Sequence, residues 1–180
     1  MLSVRRTVVA AALACLSALA ITAPGANAQA PVDSAPAAVR ADDLVPVGTP
    51  VRLAETRENR GINVAAHLNW DYVYLSSKTN GGDRQTIFHR EGDGYTIQEV
   101  EPHWDDYDYW QVTGDGVMLN KKSKATVFTV KKTDRGLQLT DPEGGHPTYS
   151  IMDGHPTRWL YFHQKATNVW DTFAYFRIEK

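Results

Sequence analysis

Between residues 49 and 178 the chain breaks into twelve short runs of β-type composition, and these fall into three sets of four. The first set is 49–54, 62–67, 71–76 and 85–90. The second is 94–100, 107–112, 116–119 and 126–131. The third is 136–140, 148–152, 158–163 and 171–178. Corresponding runs start 41 to 45 residues apart. A constant spacing in that range implies supersecondary units that share one core.

The runs are rich in Val, Ile, Thr, Tyr, Phe and Trp, and turn-forming residues separate them. Asn80-Gly81-Gly82-Asp83, Glu91-Gly92-Asp93-Gly94, Thr113-Gly114-Asp115-Gly116, Asp134-Arg135-Gly136 and Asp141-Pro142-Glu143-Gly144-Gly145 supply the backbone freedom that tight turns need. Tyr95-Thr96-Ile97-Gln98 and Phe128-Thr129-Val130-Lys131 alternate apolar and polar side chains, as half-buried strands do. No amphipathic helix is evident, so residues 49–180 are expected to be all-β.

The amino terminus has a different character. Arg5 and Arg6 precede an apolar stretch from Val8 to Ile21, and Ala26-Asn27-Ala28 has the small-x-small form of a cleavage site. Residues 1–28 are therefore expected to be a signal peptide, and the protein to be secreted to the extracellular space. The Arg5-Arg6 pair is also compatible with twin-arginine export. The apolar stretch is shorter than the roughly 20 residues that cross a bilayer, so no membrane span is expected.

Loss of residues 1–28 removes two of the 19 basic residues and none of the 21 acidic ones. The remaining negative balance argues against a nucleic-acid partner. It also removes Cys15, the single cysteine, so stability must come from apolar burial and backbone pairing rather than disulfides. Residues 29–48, rich in Ala and Pro, read as a flexible leader. Within it Leu44-Val45-Pro46-Val47 is the segment best suited to dock on a partner.

The fourth run of each set carries threonine before bulky apolar residues: Thr86-Ile87-Phe88, Thr126-Val127-Phe128 and Thr172-Phe173. The third carries Leu75, Leu119 or Leu160. With these residues meeting around a pseudo-threefold axis, the chain resembles the β-trefoil superfamily over residues 49–180. Within it, Gln-x-Trp of the ricin-type lectins is absent. Trp170-Asp171-Thr172-Phe173 and Asn63-Val64-Ala65-Ala66 resemble the fascin-like pattern. The resemblance implies a β-trefoil of three four-strand pseudo-repeats acting as a binding module.

Motifs of catalysis are missing: there is no Gly-x-Ser-x-Gly, Ser-x-x-Lys, His-Glu-x-x-His or phosphate loop. A non-catalytic protein without cofactor or metal is expected. Gly145-His146-Pro147 and Gly154-His155-Pro156 bracket a five-residue run spanning ~17 Å, which keeps their imidazoles from sharing one metal.

The densest functional signal is His103-Trp104-Asp105-Asp106-Tyr107-Asp108-Tyr109-Trp110. Aromatic faces stack on sugar rings and carboxylates accept bonds from hydroxyls. Trp104, Asp105, Asp106 and Asp108, with the outward-facing Tyr72 and Trp159, are the expected ligand-binding residues, and a glycan the expected ligand. Trp110 is expected in the core. The alternative is an adaptor or protease inhibitor that grips another secreted protein. Leu44 and Val45 of the leader, Lys121, Lys122 and Lys124 of a basic cluster, and the 77–84 loop would then form the contact.

Overall fold

A computed structural model describes residues 44–79, 84–114, 116–151, 158–166 and 171–179. The expected signal peptide and most of the leader lie outside the described residues, as do much of the 77–84 loop and Gly154-His155-Pro156. The first seven strands are β1 (Pro50–Glu55), β2 (Arg60–His67), β3 (Trp70–Thr79), β4 (Thr86–Glu91), β5 (Gly94–Glu99), β6 (Tyr109–Thr113) and β7 (Gly116–Asn120). The others are β8 (Thr129–Thr133), β9 (Gly136–Thr140), β10 (His146–Ser150), β11 (Arg158–Trp159), β12 (Tyr161–His163), β13 (Asp171–Phe173) and β14 (Phe176–Glu179). Among the described residues a 3-10 turn, Lys122–Lys124, lies between β7 and β8.

Alternation explains how β3 is used. Asp71, Val73 and Leu75 point into the core at 1% exposure or less, which leaves Trp70, Tyr72 and Tyr74 on the opposite face. At β5 the glycine is obligatory, because a Cβ on Gly94 would lie 2.7 Å from the Phe128 carbonyl. That close approach lets Tyr95 and Phe128 exchange two backbone hydrogen bonds of 2.8 Å.

Strands β1 to β7 close on themselves. β1 pairs with β2, β2 with β3, β3 with β7, β7 with β6, β6 with β5, β5 with β4, and β4 with β1, all antiparallel. From β1 the ladder also runs through β14 and β9 to β8. A second sheet has the order β12-β10-β13.

This seven-strand barrel with added strands corrects the expected β-trefoil of three four-strand pseudo-repeats. The third set does not reproduce the first two. Its strands β11, β12 and β13 are two or three residues long and are divided between two sheets. Recurrent apolar spacing reports which side chains share a core, and it carries no record of which backbones pair. What the spacing does capture is burial: Leu75, Leu119 and Leu160 are all fully buried in the core cluster that also holds Phe88, Trp110 and Phe128.

The end of the leader docks on the chain itself. Val45, expected to face a partner, is 1% exposed within this protein's own core. Val47 bridges Phe88, and the Gly48 N–H donates to the Phe88 carbonyl at 2.9 Å.

The β2–β3 hairpin turns on Leu68 and Asn69, with φ of 48° and 67°. Two left-handed residues define a type I′ turn, which favours Asn and Gly. Leucine is costly there, and Leu68 is 78% exposed, so it recovers little by packing. Leu68→Asn is expected to raise stability by about 0.5–1 kcal/mol, measured by thermal unfolding. A lowered midpoint would show that Leu68 supports the fold.

Candidate functional site: an aromatic cleft beside the β2–β3 turn

Between β5 and β6 the chain leaves the barrel over residues 100–108 and returns. Both ends are tied down. Glu99 N–H donates to the Asp108 carbonyl at 2.7 Å, and Val100 N–H donates to that of Gln85 at 3.0 Å. In the middle, buried Asp71 of β3 receives the His103 backbone N–H at 2.9 Å. Its other oxygen meets His103 Nδ1 at 2.6 Å. Two bonds from one residue to a buried carboxylate fix the backbone on which Trp104 stands.

Asn69, Trp70, Trp104, Asp105 and Tyr107 enclose a cleft of about 370 Å³. The Trp70 and Tyr107 rings meet edge-to-face at 5.7 Å, and Trp104 lies against His103 at 6.1 Å. Trp70 and Trp104 are 36% and 40% exposed, so large apolar faces remain open to solvent. Tyr107 also carries the Lys121 ammonium, 5.3 Å from the ring centre. The cleft thus offers π-faces and one carboxylate, with a resident cation already on the tyrosine.

A second aromatic group continues along β3. Tyr72 and Tyr74 contact Trp159 of β11 at 6.0 and 5.6 Å, and His67 contacts both Tyr72 and Trp159. Tyr72 follows Trp70 on the same face, about 7 Å along the strand. The structure therefore unites Trp104 with Asp105 in one cleft and Tyr72 with Trp159 in a neighbouring cluster. Asp106 and Asp108 line the far side of the 104–108 segment, together with Lys121 and Lys122. Lys124 is exposed on the 3-10 turn.

Three cleft residues, Asn69, Trp70 and Tyr107, are not among the expected ligand contacts, although Tyr107 lies within the 103–110 segment. Period-two alternation with Tyr72 and Tyr74 would have put Trp70 on the outer face. Asn69 carried the other signal, an asparagine at a hairpin turn. Trp110 is in the core as expected, fully buried, and its Nε1–H donates to Glu99 Oε1 at 2.8 Å. Burial pushes the Glu99 carboxyl up to about 7; the Trp110 bond and Arg84 pull it down, and Asp71 raises it further. Its second oxygen has no hydrogen-bond partner among the described residues. His146 Nδ1 lies 3.1 Å from both the Thr140 hydroxyl and the Leu139 carbonyl. No group of three or more His, Cys, Asp or Glu side chains gathers into a metal site among the described residues. Nor is any helix among them long and apolar enough to cross a membrane.

Together these features define an all-β barrel module with an open aromatic–acidic cleft. No family model matches the chain, and no curated protein sequence matches it. Among solved structures it is similar to the lysenin pore, with a TM-score of 0.56 at 12% identity over 76% of this chain and 48% of that one. It is also similar to lysenin in complex with phosphocholine, with a TM-score of 0.55 at 9% identity over 76% and 47%. Soybean trypsin inhibitor is a further match, with a TM-score of 0.52 at 15% identity over 76% and 94%. The chain spans about half the length of the lysenin chains. At these identities the likeness is one of fold. The inhibitor lends the trefoil resemblance weak support, while the barrel closure and the lysenin match stand against it.

Proposed function

We propose that this protein is a secreted, non-catalytic binding module that recognises carbohydrate in the Trp70–Trp104–Tyr107 cleft. The observation that carries this reading is the grouping of three aromatic side chains and Asp105 around one open cleft of about 370 Å³. Pyranose rings present apolar C–H faces to aromatic rings and hydroxyl donors to a carboxylate. A cationic ligand fits less well, because the Lys121 ammonium already lies over Tyr107. Phosphocholine, the ligand of one similar lysenin structure, is therefore the informative control.

Trp104→Ala is expected to weaken glycan binding at least tenfold, about 1.4 kcal/mol or more. Circular dichroism should be unchanged, since Trp104 is 40% exposed. Titration calorimetry after a glycan-array screen supplies the measurement. No glycan bound by the native chain, or phosphocholine bound more tightly than any sugar, would refute the proposal.

The exposed rim of Leu68, Trp70 and Trp104 favours a second reading, a protein partner gripped by the same surface. A captured protein that free sugar fails to displace would favour that reading. Export in either case rests on the Ala26-Asn27-Ala28 site, and the mass of the protein from culture medium tests it.

A further inference from the structure

Building on the carbohydrate reading, we propose that the ligand passes over Tyr107 into an adjoining cleft, and is therefore an oligosaccharide of at least two rings. The second cleft has a volume of about 430 Å³ and is lined by Gln98, Asp106, Asp108, Tyr109, Lys121 and Lys122, with Ser123. The two clefts are lined by interleaved residues of one segment, 104–109. Asp105 lines the first and Asp106 the second, although their Cα atoms are only about 3.8 Å apart. Tyr107 borders the first, and Lys121 of the second rests on its ring.

The backbone makes this division possible. Asp106 has φ of 67°, the left-handed region that L-residues other than Asn, Asp and Gly avoid. That reversal sends successive carboxylates to opposite sides of the segment.

The chemistry of the second cleft differs from that of the first. Gln98 Nε2–H donates to Asp108 Oδ2 at 2.6 Å, and Gln98 Oε1 lies 2.6 Å from His89 Nε2. Lys122 lies 6.0 Å from the Tyr109 ring centre. Two carboxylates and two ammonium groups balance in charge, which suits a neutral polyhydroxylated ring better than a free ion. One ring would stack in the aromatic cleft, and the next would exchange hydrogen bonds with the polar one.

The test is calorimetry on the full chain with four probes: glucose, cellotetraose, N-acetylglucosamine and its β-1,4-linked tetramer. At least one tetramer is expected to bind tenfold or more tighter than its monomer. Asp106→Asn keeps a residue that tolerates the left-handed region and removes the charge. It is expected to bring the tetramer-to-monomer affinity ratio toward one. A native ratio already near one, or a variant that leaves a high ratio intact, would overturn the proposal while leaving a one-ring site standing. Absence of binding to all four probes and across a glycan array would overturn both this proposal and the carbohydrate reading beneath it.

Discussion

Replacing Trp110 with alanine is expected to destabilise the protein by about 4 kcal/mol, the middle of the range for truncating a buried aromatic. Trp110 is fully buried and meets Phe128 edge-to-face at 6.4 Å. Truncation opens a cavity in the core cluster, next to Leu119, its partner across the β6–β7 ladder. It also removes the 2.8 Å donor to Glu99 and leaves a buried carboxyl without that partner, a loss of about 1–3 kcal/mol in its own right. A domain of this size has a total stability of about 5–15 kcal/mol, so Trp110→Ala consumes a large share of it. Trp110→Phe keeps most of the packing and drops the hydrogen bond, so it should retain most of the stability. Urea unfolding of both variants separates the two contributions. A loss below about 1 kcal/mol in Trp110→Ala would contradict the central placement of this ring.

The second large effect concerns pH. Burial holds the Glu99 proton up to a pH of about 7, whereas in the unfolded chain the group titrates near 4.5. The folded state therefore binds more protons than the unfolded state between these values. Stability from this group is complete below about pH 4.5 and falls as pH rises through 7. At about 1.4 kcal/mol per unit, the contribution lost is somewhat more than ~3 kcal/mol. Glu99→Gln retains an acceptor for Trp110 and cannot ionise. It is expected to flatten this part of the profile and to be more stable than the native chain at pH 8, with the difference shrinking toward pH 5. Thermal midpoints at both pH values decide the matter, and parallel curves for the two proteins would exclude Glu99 as the titrating group.

The all-β class and the faces of several strands were legible in the sequence, for a physical reason. Strand alternation is a local property, and the outward row of Trp70, Tyr72 and Tyr74 follows from it, as does the inward row of Tyr95, Ile97 and Glu99 on β5. The burial of Leu75, Leu119 and Leu160 was also legible, because recurrent spacing reflects a shared core. Strand pairing was not. Closure of β1 on both β2 and β4, and division of the third set between two sheets, depend on backbone partners far apart in sequence. The same limit applied to Val45, whose apolar character was plain while the surface that covers it was not. In the candidate site, the 103–108 segment stood out by composition. Its pairing with Asn69 and Trp70 comes from the hold of Asp71 on His103, a contact across 32 residues.

That hold has a kinetic consequence. With the 100–108 segment anchored at both ends and at its middle, a ligand meets a receptor already in its final shape. Little ordering entropy is then lost on association. Under the proposed carbohydrate reading, sugars that differ by one hydroxyl are expected to approach at similar rates and differ in residence time.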